Sequence, residues 1–300
     1  MMSKYALFLG CTVPVRGLNY ELSARKVADR LGIEIVDITD FACCGFPIAG
    51  VHHETGLTLA ARNLALAEAQ GLDIMTLCSA CTGHLTKAQK HLSSPRGTEE
   101  QKKINDYLGG SNLEYKGNTK VKHFARVLYE DVGLDKVKEA VTNPLTSLTI
   151  APHYGCHYIK PSTIFDGFDD PINPVSLDKL IEVTGATSVR YKNRLQCCGG
   201  GILSISEDTS VKMVKEKLDN IKTAEADAMT LLCPFCSIMY DEYQPTIETS
   251  FDAEYNIPVL FYSQLLGIAM GLDPKKDLAV KINQVKVSPL LEKVQANGGA

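Results

Sequence analysis

The sequence predicts an α/β protein built as two tandem repeats, each a small doubly wound unit whose parallel sheet carries a cluster of cysteines at the carboxyl ends of its strands. Three observations carry this expectation. Ten cysteines fall in one order written twice, short apolar runs alternate with helix-periodic segments, and each cysteine group stands just after such a run. A chain of 300 residues accommodates two domains of about 100 to 200 residues each. We place the boundary near Pro144, giving units over 1–144 and 145–300.

Tyr5 to Leu9 is apolar and runs into Gly10-Cys11, which predicts a buried strand ending at a cysteine. Ala24, Val27, Ala28 and Leu31 then stand at i, i+3, i+4 and i+7, with Gly32 as the carboxy-terminal cap of a helix. Ile33 to Ile38 supplies the next strand and leads to Cys43-Cys44-Gly45. Leu57, Ala60, Ala61 and Leu64 repeat the helical spacing before Gly71, and Leu72 to Leu77 forms a strand that delivers Cys78 and Cys81. Such alternation favours a parallel sheet with right-handed crossovers. In the second unit, Leu148 to Ala151, Thr187 to Tyr191 and Ala228 to Leu232 supply strands, and Val211, Val214, Leu218 and Ile221 mark a helix. Ligands of such sheets gather at the carboxyl ends of the strands, so cysteines distant in sequence are expected to converge there.

The cysteine spacing is C-x31-C-C-x33-C-x2-C in the first unit and C-x40-C-C-x34-C-x2-C in the second. Cys43-Cys44-Gly45 answers Cys197-Cys198-Gly199, and Asp73 to Leu77 answers Asp227 to Leu231. Val121 to Asp135 and Val259 to Asp273 both close on Gly-Leu-Asp after a helical apolar pattern. The first unit has extra length between its C-x-x-C and that closing helix. Turn-forming Ser93 to Gly97 and Gly109 to Asn112 flank a charged helical piece from Thr98 to Tyr107 there, which reads as a surface excursion.

A net charge of −4, a pI near 6.0 and no concentrated basic face argue against nucleic-acid binding. The longest apolar stretch, Ile257 to Leu272, is broken by Pro258, Ser263 and Gln264 and falls short of the roughly 20 residues of a membrane span. The amino terminus has no secretory pattern, so a cytoplasmic location is expected. In a reducing compartment ten cysteines point to metal or redox chemistry rather than to disulfides. Structural zinc is closed by four ligands and a cubane cluster takes four cysteines, so five per unit is one more than either needs. Adjacent cysteines in extended backbone point in opposite directions. Each pair therefore needs an irregular turn, which Gly45 and the run Gly199-Gly200-Gly201 permit.

With these motifs in both halves, the chain resembles the cysteine-rich (CCG) domain family in its duplicated form, and within it the B subunits of soluble methanogenic heterodisulfide reductases. The resemblance covers nearly the whole chain. It implies two noncubane [4Fe-4S] clusters, one held by Cys11, Cys43, Cys44, Cys78 and Cys81, the other by Cys156, Cys197, Cys198, Cys233 and Cys236. It implies a catalytic polypeptide that reduces the mixed disulfide of coenzyme M and coenzyme B to two thiols with two electrons and two protons. The chain has neither a ferredoxin-type cysteine run nor a dinucleotide fingerprint, so electrons must come from a partner. The partners that the resemblance implies are a ferredoxin-like C subunit and a flavin-containing A subunit of heterodisulfide reductase, with a hydrogenase or formate dehydrogenase.

A substrate with sulfonate, carboxylate and phosphate groups needs basic contacts, and Arg16, His153, His157 and Lys160 are the substrate-binding candidates beside the cysteine turns, with His52, His53 and His84 after them. Two alternatives stay open: an iron-sulfur electron-transfer component of a lactate or glycolate oxidase type complex, and a zinc-stabilised scaffold without redox activity. The lysines of the carboxy-terminal tail, Lys275, Lys276, Lys281 and Lys286, suit either a docking surface or a solvated one.

Overall fold

The computed structural model describes residues 3–297 and contains two four-stranded sheets of the same topology. Strands β1 (Lys4–Phe8), β2 (Glu34–Asp37), β3 (Asp73–Thr76) and β4 (Val121–His123) lie in the order β2-β1-β3-β4, all parallel. Strands β5 (Thr149–His153), β6 (Thr187–Ser188), β7 (Ala228–Leu231) and β8 (Val259–Phe261) repeat it as β6-β5-β7-β8. The inner strands are buried nearly end to end, which is why they read as continuous apolar runs rather than alternating ones.

Six helices matter below: α1 (Leu18–Arg30), α2 (His53–Glu68), α3 (Ser79–Leu92), α4 (Thr98–Gly109), α5 (Glu207–Thr223) and α6 (Tyr262–Ala269). The apolar faces expected of α1, α2 and α5 are the faces they bury. Two expectations need correction. The segments opening at Val121 and Val259 are not helical from their first residue: each starts as a three-residue strand that completes its sheet and only then turns helical. Three residues are too few to show a strand period, and the helix behind them dominates the pattern. The strand expected over Thr187 to Tyr191 is confined to Thr187–Ser188.

The charged excursion is docked rather than loose. α4 buries Ile104 and Leu108, and Asn105 brackets the backbone of Tyr115, accepting its N–H at 2.9 Å and donating to its carbonyl at 3.0 Å. The carboxyl-terminal tail is packed as well. Val287, Leu290 and Val294 are buried, and the Asp241 carboxylate accepts the N–H groups of Gln284 and Val285 at 2.8 and 2.9 Å. The four tail lysines are all exposed.

Helices α1 and α6 join the repeats. The Tyr20 ring stacks on Phe261 with centroids 4.0 Å apart, the hydroxyls of Ser23 and Ser263 meet at 2.7 Å, and Asn19 donates to Asn283 at 3.0 Å. One apolar core runs through both sheets. Burying a large aromatic pair at this seam contributes several kcal/mol against separation of the halves, at about 25 cal/mol per Å² of apolar surface.

Candidate metal centres

Each cysteine group follows the carboxyl end of an inner strand or its neighbour, as the alternation of elements requires. At the cysteine pairs the backbone makes the irregular turn that adjacent thiols need. Gly45 sits at φ +92° and Gly199 at φ +78°, in the left-handed region, and their N–H groups donate back to the sulfurs of Cys43 at 3.5 Å and Cys197 at 3.4 Å. Gly200 donates likewise to Cys198 at 3.4 Å. A Cβ on Gly45 would stand 2.3 Å from the carbonyl oxygen of Gly56, so no other residue fits there without displacing α2. At each C-x-x-C, the first cysteine is the cap residue of a helix: Cys78 before α3, Cys233 before Pro234–Ser237. Partial positive charge at a helix start favours a thiolate.

The result is two rows of thiols. In the first, Cys43 lies against Cys11 and Cys44, Cys44 against Cys81, and Cys81 against Cys78. In the second, Cys156 lies against Cys197, Cys197 against Cys198, Cys198 against Cys236, and Cys236 against Cys233. The rows meet where the sulfurs of Cys78 and Cys233 stand 3.9 Å apart. Cys11 is exposed and Cys43, Cys156 and Cys197 are half-buried, whereas the other six are buried, so each row opens at its first cysteine and closes at the seam.

So many thiols in contact compete for protons. Bonds from the neighbouring Cys156 and Cys198 thiols pull Cys197 down to about 2, while its bond to Cys197 pushes Cys198 up to about 12. Burial raises Cys43 to about 11, and the bond from Cys81 lowers Cys44. Five thiolates cannot share such a space unless positive charge lies among them, and a polynuclear iron centre would supply it. Among the described residues no three His, Cys, Asp or Glu side chains close to single-ion distances. Five cysteines per row are one more than a tetrahedral zinc ion takes, and with the N–H···S bonds at each pair this donor set fits a multi-iron cluster.

Beside the cysteine turns lies a cavity of about 830 Å³ whose lining draws on both repeats, with Phe46 two residues after Cys44, His84 three after Cys81, His157 next to Cys156 and Gly201 three after Cys198. Its polar wall holds His53, Lys87 and His91 but no carboxylate, and Leu57, Ile164 and Ile205 give it an apolar floor. Phe46 meets His157 edge-on at 5.0 Å, tying the first cysteine pair to the second repeat. Burial lowers the pKa of both His84 and His157.

Of the four substrate candidates, His157 alone lines this cavity. Arg16 is paired with Glu242 across the repeats, and Lys160 is exposed. His153 is wholly buried beneath the second row, its Nε2 3.2 Å from the sulfur of Cys236 and its Nδ1 3.2 Å from Nζ of Lys217. Lys217, also wholly buried, carries no mark in the cysteine pattern. Its signal is local: it stands three residues after Val214 and four before Ile221, a lysine on the apolar stripe of α5. Asn63 is the corresponding polar intrusion on α2, with its side chain accepting the N–H of Ala42 at 2.9 Å and donating to the carbonyl of Cys43 at 3.0 Å.

Residues 5–86 and 150–241 match the model of the cysteine-rich domain called CCG. Over 299 residues the chain is 38% identical to the B subunit of the ferredoxin:CoB-CoM heterodisulfide reductase of Methanosarcina mazei, covering 98% of this chain and 97% of that one. It is 39% identical over 283 residues to a protein of Archaeoglobus profundus named for its likeness to the heterodisulfide reductase B subunit, covering 92% and 93%. It is 33% identical over 291 residues to the 8-methylmenaquinol:fumarate reductase membrane anchor subunit of Wolinella succinogenes, covering 97% and 100%. Among the described residues no helix is long and apolar enough to cross a membrane. Two matched repeats and full-length identity above 30% establish the relationship: the chain belongs to the duplicated cysteine-rich (CCG) domain family, with the heterodisulfide reductase B subunits among its relatives.

Proposed function

We propose that the chain is the catalytic subunit of a heterodisulfide reductase, reducing the mixed disulfide of coenzyme M and coenzyme B to two thiols. Each cysteine row would hold one noncubane [4Fe-4S] cluster, which supplies single electrons and an iron that accepts sulfur. The observation that supports this reading is the cavity lined from both repeats beside their cysteine turns, walled by imidazoles and Lys87, with no carboxylate in its lining. A disulfide seated there would lie beside the cysteine turns of both repeats, and its anionic arms would meet basic groups rather than acidic ones. His84 and His157 favour their neutral forms, so each offers one N–H and one lone pair, suited to orienting a substrate and, by taking a solvent proton on the lone pair as the N–H is given up, to relaying a proton to a departing thiolate.

The overall reaction takes one disulfide, two electrons and two protons to two thiols. The electrons would enter from a ferredoxin-like C subunit, backed by a flavin-containing A subunit and a hydrogenase or formate dehydrogenase; the name of the Methanosarcina mazei relative supports a ferredoxin-fed complex. The three relatives give no support to a lactate or glycolate oxidase relay. The two halves, 1–144 and 145–300, would be units that function only together, because cavity and seam draw on both. The test is anaerobic turnover of the iron-loaded protein with a reduced viologen as donor. Two thiols released per disulfide is the expected result, and loaded protein that leaves the disulfide untouched would overturn the proposal.

A further inference from the structure

The repeats share one sheet order but differ in charge beside their cysteines. Phe8 pairs with Thr76 in the first sheet as His153 pairs with Leu231 in the second, and Thr76 and Leu231 each stand two residues before a C-x-x-C, so Phe8 and His153 hold the same place. Asn63 and Lys217 correspond as well, standing equally far after their cysteine pairs. The contact of Gly45 with Gly56 and that of Gly199 with Ser210 fix the same register. Where the first repeat has a hydrocarbon ring and a neutral amide, the second has an imidazole and a lysine.

The hydrogen bonds define the protonation of this pair. A cysteine that ligates iron is a thiolate and only accepts, so Nε2 of His153, 3.2 Å from the Cys236 sulfur, must carry its proton. Nδ1 is then a lone pair, and Lys217 donates to it at 3.2 Å. Lys217 also donates to the carbonyls of Arg194 at 3.0 Å and Gln196 at 2.9 Å. Three acceptors match the three N–H groups of an ammonium ion. The rings of Tyr191 and Tyr240 flank Nζ, with centroids 5.9 and 6.0 Å away. Among the described residues no carboxylate pairs with it, and the sulfurs of Cys236, Cys198 and Cys197 lie within its electrostatic reach.

We propose that Lys217 and His153 are positioning residues that separate the two centres in redox potential, making the one held by Cys156, Cys197, Cys198, Cys233 and Cys236 the more readily reduced. The inference rests on the reading that each row holds an iron-sulfur cluster. Adding one electron puts negative charge into a buried site. A buried cation and an N–H···S bond both stabilise that reduced form over the oxidised one. The first row has neither group at the matching places. The asymmetry gives electrons arriving one at a time a preferred resting place in the second repeat.

The test is a potentiometric titration of the anaerobic, iron-loaded full-length chain, followed by electron paramagnetic resonance and visible absorption. Lys217→Met removes the charge and keeps an apolar stem. His153→Phe installs the residue the first repeat already accommodates, and carries the test if Lys217→Met does not load. The expected result is a drop in the midpoint potential of one centre by tenfold or more in its one-electron equilibrium, about 59 mV, with the other centre unmoved and iron content retained. The double substitution Phe8→His with Asn63→Lys is expected to raise the other potential instead. Loaded variants in which both potentials move together, or neither moves, would overturn the inference while leaving the cluster reading intact. Wild-type protein without iron and labile sulfide would remove that reading, and the inference with it.

Discussion

Gly45→Ala puts the cysteine-pair turn under a defined load. Gly45 holds φ +92°, and an alanine Cβ would lie 2.3 Å from the carbonyl oxygen of Gly56, well inside the 3.0 Å that such contacts essentially never breach. Left-handed backbone adds about 1–2 kcal/mol for a residue with a Cβ, and forcing α2 aside adds about 1–3 kcal/mol of overpacking strain. Gly32 is the internal control. It sits at φ +72° after α1 with nothing within 4 Å of a new Cβ, so Gly32→Ala carries the backbone strain alone. In thermal unfolding of the loaded proteins under anaerobic conditions, Gly45→Ala is expected to melt about 2–6 °C below Gly32→Ala. It should also lose iron from one centre, because the Gly45 N–H that bonds the Cys43 sulfur moves with the turn. Equal melting temperatures and equal iron in the two variants would refute the claim that close approach of Gly45 and Gly56 shapes the ligand set.

The Asp241 carboxyl is pushed up to about 6 by burial, against the pull of two backbone N–H donors. Its folded pKa exceeds the unfolded value near 3.9, so its contribution is full below that value and lost as pH rises through about 6. Relative to Asp241→Asn, native protein should lose up to about 3 kcal/mol between pH 4 and 7; parallel melting curves across that window would contradict this. Phe261→Ala removes a ring that is 2% exposed and stacked on Tyr20, and is expected to destabilise by about 3–5 kcal/mol. Limited proteolysis should then cut between the repeats, and an uncut variant would count against the seam. Arg16→Ala breaks an exposed ion pair with Glu242 and should change stability by under about 1 kcal/mol. A large rise in KM for the disulfide would instead make Arg16 a substrate contact.

The repeated cysteine order and the apolar runs before it made the two parallel sheets legible, because buried strands and the helices between them leave strong periodic marks. The last strand of each sheet left none: Val121–His123 and Val259–Phe261 are three residues long and merge into the helices that follow. At the centres, membership of each row could be read from spacing, but the contact of Cys78 with Cys233 could not, since it depends on how α1 and α6 pack. His153 shows the limit of proximity in sequence. Three residues before Cys156 it looked like a substrate group, yet as the last residue of a buried strand its ring meets Cys236 and Lys217 rather than the cavity. Lys217 was visible only as a lysine out of place on an apolar helix face, which becomes meaningful once α5 is laid beside the cysteines.

The proposed chemistry requires that each row of five thiols hold its own iron-sulfur centre. The most direct test is iron and acid-labile sulfide analysis, with Mössbauer spectra, of the wild-type chain and of Cys44→Ser and Cys198→Ser, which remove a buried thiol from the first and second row respectively. Two four-iron centres are expected in the wild type, with loss of a different one in each variant. Zinc in place of iron, or full iron retention in both variants, would contradict that assignment.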